Sequence, residues 1–442
     1  TGTLQLRLEE GETLSVTANG PYTFQTRLPK GGTYSVSIAA QPRGYRCTLT
    51  QGSGTVAVNV TGIAVQCTPW FSLTPFQTAT VVIGQSTFTG RSTNQGETPG
   101  PTTLDAPWGN PVLAGGKLYV SDLGSNRVLG FESLPSQNGA SASFALGQPD
   151  LTGSTSNTGR GGLASPEGLS SDGTQLAVAD KSNNRVLLYT SLPSTTGAQP
   201  TLVLGQPDFD ATTTGCAASS LRVPEAVFLS QGKLVVADTF NHRVLIWNAI
   251  PSSNGAPAHL VLGQTSFTSC VRNDANGDGT ADSTPSASTL FFPAGVWTDG
   301  TRLLVADTDN HRVLIWNEFP TTNGQPADVV LGQPDFTTRA EATTAVGMFS
   351  PYNVNSTGQQ LFVSEYGNSR ITVWNQLPTA NGQAAELVLG QPDFTSRNRG
   401  DPSSGTIPSA RSLYQPSGVL LAPPALVVTD YGNNRLLVFE SP

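Results

Sequence analysis

The 442-residue chain is 37% hydrophobic and 12% charged, with 47 glycines and 32 prolines, which excludes a disordered chain and predicts short strands joined by turns. Lysine and arginine number 23 against 31 aspartates and glutamates, so the net charge of −8 leaves no basic field for a nucleic-acid partner. The longest apolar run, near residues 419–428, is interrupted by Pro423 and Pro424 and falls short of the roughly 20 residues that span a bilayer.

Residues 1–68 have the alternating pattern of half-buried strands. Apolar and polar residues alternate in 3–8, 13–17 and 33–38, and glycine and asparagine turns separate these runs. The pattern predicts a small immunoglobulin-like β-sandwich. Residues 69–78 are predicted to be a short linker.

The four cysteines contain no CxxC pair and no zinc-finger spacing, so thiolate metal ligation is not indicated. Cys47 and Cys67 lie in one short segment, whereas Cys216 and Cys270 lie in long loops that the repeat described below makes neighbours. Of the three pairings that four cysteines allow, two local disulfides are the simplest. They indicate an oxidising compartment.

The N-terminal region also has a recognisable motif. The run Leu14-Ser-Val-Thr-Ala-Asn-Gly-Pro-Tyr-Thr-Phe24, followed by Gly44-Tyr-Arg-Cys47 and Val65-Gln-Cys67, resembles a module common near the N-termini of secreted bacterial lipoproteins. The resemblance implies an exported bacterial protein, extracellular or on the outer cell surface, whose leader is not in this chain. It also implies envelope anchoring or self-association through the N-terminal domain.

One cassette recurs six times in residues 79–442. It contains, in order, a proline, an acidic residue, an arginine, an aromatic residue and a glutamine. In the third cassette these are Pro224, Asp238, Arg243, Trp247 and Gln264, and the other cassettes keep the same spacing to within one position as far as they extend. The acids and arginines are Asp122 and Arg127, Asp180 and Arg185, Asp238 and Arg243, Asp307 and Arg312, Glu365 and Arg370, and Asp430 and Arg435.

Each cassette holds short β-branched runs bounded by Gly, Asn, Asp and Pro, which predict four antiparallel strands and therefore one propeller blade. The sixth cassette ends before its outer strand, whereas Thr80–Gln85 is an outer strand with no blade in front of it. The fold class predicted for the chain is all-β. It is a six-bladed β-propeller at 79–442, closed by its N-terminal strand and preceded by the sandwich.

The segments Val236-Ala-Asp-Thr-Phe-Asn-His-Arg-Val-Leu-Ile-Trp247 and Val305-Ala-Asp-Thr-Asp-Asn-His-Arg-Val-Leu-Ile-Trp316 resemble the NHL-repeat family of six-bladed propellers. The resemblance covers about residues 79–442. It implies the fold but no single activity, because NHL propellers include scaffolds, sensors, RNA binders and a lyase.

Nearly all length variation lies between the glutamine of one cassette and the proline of the next, as a comparison of the segment 148–166 with the segment 264–293 shows. These loops are expected to share one face with the entries to the innermost strands, around the central channel. Residues present in every cassette are expected to hold the blades together. The unrepeated residues at the channel mouth are the candidate ligand-binding set: Trp108, Asn110, Glu167, Glu225, Tyr352 and Asn353.

Glu167 and Glu225 come from consecutive blades and allow two interpretations. They hold a hard cation or act as catalytic acid and base, or they are two solvated glutamates at a wet channel mouth. The second interpretation is favoured.

The longest loop contains Asp274-Ala-Asn-Gly-Asp-Gly-Thr-Ala-Asp282, which resembles EF-hand and dockerin-type calcium loops. Oxygen side chains at alternate positions, with glycine at the sixth, form a set of hard ligands for Ca²⁺. The predicted ligands are Asp274, Asn276, Asp278, the Thr280 carbonyl and Asp282. Pro285 stands where such loops place a closing glutamate, so the bidentate ligand is missing.

The function predicted is a secreted or cell-surface, non-enzymatic binding or scaffold protein, part of an extracellular assembly. Its loop-rich face would recognise a protein or a glycan. The alternative is a propeller hydrolase or lyase with a divalent cation at the channel mouth near Glu167 and Glu225.

Overall fold

The computed structural model describes residues 3–9 and 11–441, and over this range it consists of β-strands and one-turn 3-10 helices. No helix in the described ranges is long and apolar enough to cross a membrane. The chain divides into two compact units. One runs up to Leu73 and also contains Leu421–Leu426 and the residues after Phe439, and the other contains Thr74–Leu420 and Val427–Phe439.

The first unit has two small sheets. The four-stranded sheet has the order β2-β1-β3-β5, and β4 pairs with β6. The strands are β1 (Leu4–Leu8), β2 (Thr13–Val16), β3 (Thr33–Ala40), β4 (Tyr45–Thr50), β5 (Ser53–Thr55) and β6 (Ala64–Pro69).

Both sheets contribute to one small core, as a sandwich requires. Alternate residues of β1, namely Leu4, Leu6 and Leu8, are buried together with Val36 of β3 and Cys47 of β4. The register sets Cys47 opposite Cys67, and the two form a disulfide as predicted.

The repeat region forms six antiparallel four-stranded sheets, one for each cassette. The first blade is β8 (Val112–Ala114), β9 (Lys117–Asp122), β10 (Arg127–Phe131) and β11 (Phe144–Leu146), and the second is β12 (Pro166–Ser171), β13 (Leu176–Asp180), β14 (Arg185–Tyr189) and β15 (Leu202–Leu204). The third is β16 (Pro224–Ser230), β17 (Lys233–Asp238), β18 (Arg243–Trp247) and β19 (Leu260–Leu262), and the fourth is β20 (Pro293–Thr298), β21 (Leu303–Asp307), β22 (Arg312–Trp316) and β23 (Val329–Leu331). The fifth is β24 (Pro351–Ser356), β25 (Leu361–Glu365), β26 (Arg370–Trp374) and β27 (Leu387–Leu389).

The sixth blade joins the two ends of the propeller sequence. Its strands are β28 (Pro416–Ala422), β29 (Ala425–Asp430), β30 (Arg435–Glu440) and β7 (Val81–Ile83), in that order. Val81 pairs with Val438, and Ile83 pairs with Leu436. The predicted all-β, six-bladed propeller with an N-terminal closing strand is therefore confirmed.

The strand register explains why one face of the propeller carries the loops. In the second blade Pro166 lies opposite Asp180, Asp180 lies opposite Arg185, and the next residue, Val186, lies opposite Leu204. The start of the innermost strand, the second turn and the end of the outermost strand therefore share one edge. We call this edge of the ring the loop face.

The cores lie between blades, because each strand sends alternate side chains to opposite sides of its sheet. Leu234 and Val236 of β17 pack with residues of the second blade, whereas Val235 and Ala237 pack with residues of the fourth. Complete burial of such a side chain stabilises a fold by about 1.5–3 kcal/mol. Near the axis the blades approach so closely that a Cβ on Gly168 would lie 2.7 Å from the Ala226 Cα, which explains the glycine of the Pro-x-Gly entry.

Candidate functional site

The repeated acids and arginines form six buried ion pairs, and both side chains are fully buried in each pair. In the third blade Arg243 Nε lies 2.7 Å from Asp238 Oδ2. Burial is the largest influence on these acids and raises their pKa, to about 6 for Asp122, although the Arg127 charge acts in the opposite direction.

Each of these arginines also joins two loops. Arg243 Nη1 donates to the Phe267 carbonyl in the loop that leaves the blade, and Nη2 donates to the Ala217 and Ser220 carbonyls in the loop that enters it. Asp238 Oδ1 accepts a hydrogen bond from the Arg222 backbone N–H. The structural role predicted for the repeated pair is therefore confirmed.

The fifth blade departs from this pattern in two coupled positions. Glu365 replaces the aspartate, and Arg370 contacts it through Nη2 at 3.0 Å, while Arg370 Nε has no hydrogen-bond partner among the described residues. The longer glutamate also accepts a hydrogen bond of 2.8 Å from Thr372 Oγ1. The other five blades have leucine at the position of Thr372.

The channel mouth holds a second kind of buried charge cluster. The Lys181 ammonium lies 2.5 Å from Glu167 Oε1 and 3.1 Å from Glu225 Oε1. Tyr352 donates a hydrogen bond of 2.8 Å to Glu225 Oε2, which links the fifth blade to the third across the ring. We call Glu167, Lys181, Glu225 and Tyr352 the mouth cluster.

The two glutamates are buried, at 0% exposure for Glu167 and 5% for Glu225, so the predicted pair of solvated glutamates is wrong. Burial, together with the nearby Glu225 charge, raises the pKa of Glu167 well above its ordinary value. Burial alone would lower the pKa of Lys181, but the two glutamates outweigh it and raise that pKa. The ammonium is therefore held in its charged form between the carboxylates.

A divalent cation between the two glutamates does not fit this arrangement. Oε1 of each glutamate contacts the Lys181 ammonium, so the position between them belongs to a side chain of the protein. No group of three or more His, Cys, Asp or Glu side chains suited to a metal occurs among the described residues.

Aromatic rings surround the mouth cluster. Trp108 packs edge-on against Tyr352 and Tyr431, at centroid distances of 4.9 and 4.4 Å, and lies 5.9 Å from Tyr366. The Lys181 ammonium lies 5.8 Å from the Trp108 ring centroid, within the range of a cation–π interaction. All four aromatic residues are half-buried, so each keeps part of its surface accessible.

The two predicted asparagines have different environments. Asn110 Oδ1 accepts the Val419 backbone N–H at 2.7 Å and so ties the first blade to the sixth. Asn353 is 5% exposed, and its Oδ1 has no hydrogen-bond partner in the described structure.

Sequence reasoning missed Lys181, Tyr366 and Tyr431. Each directly follows the acid of its cassette, and the equivalent residues elsewhere are Leu123, Thr239 and Thr308. A comparison of that one position across the six cassettes would have shown the same irregularity that identified Trp108 and Glu167.

The loop with the calcium motif is folded around its first aspartate. Asp274 is fully buried, and its carboxylate accepts backbone N–H groups from Gly277, Asp278 and Gly279 at 2.8–3.1 Å. Asp282 Oδ2 accepts the Ala275 N–H. Asp274 and Asp282 thus accept backbone N–H groups of the loop itself, and the three aspartates of the motif do not form a metal-suited group in the described structure.

Cys216 and Cys270 form the second predicted disulfide. It joins the loop that enters the third blade to the loop that enters the fourth, the loop that also contains Asp274. Two consecutive variable loops of the loop face are therefore covalently connected.

No family model and no curated protein matches the chain. Among solved structures, it is similar to one titled a nidogen–laminin complex, with 16% identity over 64% of this chain and 82% of the other and a TM-score of 0.35. It is also similar to a streptogramin B lyase, with 11% identity over 74% and 77% and a TM-score of 0.37. The hydrazine synthase of Kuenenia stuttgartiensis has 12% identity over 78% and 98% and a TM-score of 0.44.

Similarity at this level extends no further than the fold. The sheet topology defines the chain as a six-bladed β-propeller protein, and a buried charge cluster surrounded by aromatic residues lies at its channel mouth.

Proposed function

We propose that this chain is a secreted or cell-surface binding protein without catalytic activity, which recognises a protein or a glycan through the loop face. One observation carries the proposal. The charged groups of the mouth cluster contact one another and its two glutamates are buried, whereas the aromatic residues around them are half-buried and keep part of their surface accessible.

Catalysis by the two glutamates is disfavoured by their burial. A general acid or base must come within hydrogen-bonding distance of the reacting group. Glu167 is fully buried, and the Lys181 ammonium contacts both carboxylates. The groups that a partner can reach are ring faces and loop polar groups, which suit recognition more than proton transfer.

A binding screen with matched variants tests this proposal. The full chain is screened against immobilised glycans and purified extracellular proteins, and each hit is measured again with Trp108→Ala and Tyr431→Ala. The affinity should fall at least about fivefold for each variant, because a buried aromatic contact contributes about 1 kcal/mol or more.

The control is Tyr22→Ala, an exposed aromatic of the N-terminal unit. Equal affinities for the parent and both mouth variants would overturn the proposed surface. Turnover of a bound ligand that Glu167→Gln abolishes would overturn the absence of catalysis.

We also propose that the chain is exported, that its repeat is of the NHL type and that its N-terminal unit belongs with the bacterial lipoprotein module. Two disulfides support export, because such bonds persist in oxidising compartments. Six cassettes in constant register support the NHL assignment. Anchoring or self-association would then fall to the N-terminal unit.

Calcium binding by residues 274–282 is a further part of the proposal. The alternating oxygen side chains and the three N–H groups that orient Asp274 support it. Calorimetric titration of the metal-stripped protein with Ca²⁺ should show one site that Asp278→Ala weakens, whereas Asp335→Ala, in another loop, should leave it unchanged. The same heat from Asp278→Ala as from the parent would contradict it.

A further inference from the structure

A separate cavity opens on the loop face where the ring closes. It has a volume of about 730 Å³, within the range of small-molecule sites. Its walls come from the loop after β7 and from the loop that enters the sixth blade. Its lining includes Arg91, Ser92, Arg399, Thr406, Tyr414 and Asn433.

The lengths of these two loops explain why the cavity forms there. The segment from Gln85 to Pro107 and the segment from Gln391 to Pro416 are both longer than three of the other four glutamine-to-proline segments. The additional residues widen the gap between the loops on either side of the closing strand.

Two arginines of the cavity are held in place without an acidic partner. Arg91 Nη1 donates to the Thr406 carbonyl at 2.8 Å, and the Arg399 guanidinium lies 5.4 Å from the Tyr414 ring centroid. Neither arginine forms an ion pair within the described part of the chain, and both are exposed. Their remaining N–H donors are therefore available to a ligand.

A buried amide adds a third donor. Asn433 is 1% exposed, lines the cavity and donates to Asp430 Oδ2 at 2.9 Å. Its counterparts in the second, third and fifth blades, namely Asn183, Asn241 and Asn368, make the same bond and also donate to a carbonyl of the neighbouring loop.

The described structure gives Asn433 no such loop bond. In the other three blades the accepting carbonyl belongs to a residue at a constant distance before the asparagine in the sequence. At the same distance before Asn433 stands Ile407, whose carbonyl accepts the Asp401 backbone N–H instead. The Asn433 amide nitrogen therefore makes one hydrogen bond in the described structure where these counterparts make two, which leaves its second N–H for an acceptor oxygen of a ligand.

The charge of the cavity is opposite to that of the whole chain. No aspartate or glutamate of the described residues lines it, although the protein carries a net charge of −8. Guanidinium groups bind carboxylates and sulfates through paired hydrogen bonds. The hydroxyl groups of Ser92 and Thr406 and the ring of Tyr414 match the hydroxyls and ring faces of a sugar.

We propose that this cavity binds an acidic saccharide, with its carboxylate or sulfate on Arg91 and Arg399 and a ring oxygen or hydroxyl on Asn433. The inference rests on the proposed recognition function and names the class of ligand. It adds a second subsite to the loop face, apart from the mouth cluster.

Calorimetry with defined oligosaccharides tests the inference. The probes are tetragalacturonate, its methyl ester, a sulfated tetrasaccharide and inorganic sulfate. Tetragalacturonate or the sulfated sugar should bind, more weakly as salt is raised, and the methyl ester should bind at least about tenfold more weakly. The stronger of the two acidic probes identifies the anionic group.

The variants are Arg399→Gln and Arg91→Gln, and the control is Arg339→Gln, an exposed arginine of another loop. Each cavity variant should lose at least about tenfold in affinity, a loss of about 1.4 kcal/mol, while the control keeps the parent value. No binding of either acidic sugar, equal binding of the methyl ester, or equal affinity for sulfate alone would overturn the inference.

The result separates this inference from the proposed function. If a ligand is lost by Trp108→Ala and retained by Arg399→Gln, recognition at the mouth stands and the acidic subsite fails. If no ligand responds to either set of variants, both proposals fail.

Discussion

Two sets of buried charge lie on the loop face, and they differ in stoichiometry. Each repeated pair matches one carboxylate with one guanidinium, and the arginine binds loop carbonyls on both sides. The mouth cluster sets two carboxylates around one ammonium and leaves Glu167 Oε2 without a hydrogen-bond partner in the described residues.

This contrast in stoichiometry indicates which charges hold the fold together. A balanced pair that recurs in every blade supports the same hairpin and the same two loops six times. The unbalanced cluster occurs once, joins the third and fifth blades through Glu225 and Tyr352, and adjoins the aromatic residues through Tyr352. The charges that recur in every blade support the scaffold. The charges that occur once adjoin the surface for which recognition is proposed.

The largest expected effect comes from the repeated set. Arg243→Met should lower the free energy of unfolding by about 3–5 kcal/mol, because it leaves Asp238 buried without its partner. Chemical denaturation at neutral pH measures the loss. Arg222→Met, at an exposed arginine before the same blade, should change stability by less than about 0.5 kcal/mol. Similar values for the two variants would contradict the structural role.

A smaller effect is expected in the fifth blade. Thr372→Leu should cost about 1–3 kcal/mol, because Glu365 Oε1 loses its donor. Combining it with Glu365→Asp recreates the arrangement of the other blades and should recover about 1 kcal/mol or more. Glu365→Asp alone completes the double-mutant cycle, and effects that add within about 0.5 kcal/mol would show that the two positions are not coupled.

The smallest effect is expected at the mouth cluster and depends on pH. Because the folded-state pKa of Glu167 is raised, its protonation favours folding at low pH, and this contribution is lost as pH rises from about 4.5 through the raised pKa. Glu167→Gln removes the titration, so the variant should lose less stability than the parent between about pH 4.5 and pH 8, by on the order of 1 kcal/mol.

The exposed Glu97→Gln is the control for that measurement and should follow the parent curve. Identical curves for the parent and Glu167→Gln would show that Glu167 does not titrate differently in the folded state. Glu225, Lys181 and Tyr352 remain in place in the variant, so the difference reports Glu167.

The sequence was sufficient to predict the ring, its closing strand and both disulfides, because each has a local or periodic signal. The spacing of acid and arginine recurs six times, and Thr80–Gln85 is a strand without a blade. The mouth cluster has no such signal. Tyr352 and Glu225 are far apart in the sequence, and whether a glutamate there is solvated or buried depends on where Lys181 and Trp108 send their side chains.

The cavity beside the closing strand has a partial signal in the sequence, namely the length of its two loops. The two long segments can be read from the chain, but the missing loop bond of Asn433 cannot. Whether Asn433 makes this bond depends on which N–H group donates to the Ile407 carbonyl. The conformation of the folded loop determines that donor.

The closing strand also sets the order of folding. Each of the first five blades is complete once its own cassette has been synthesised, but β7 must wait until nearly the whole chain has been made, since Val81 pairs with Val438. Such a long-range contact has a high entropic cost and forms late. Until β30 has been synthesised, β7 lacks the strand with which it pairs, and the backbone groups of that edge stay unpaired.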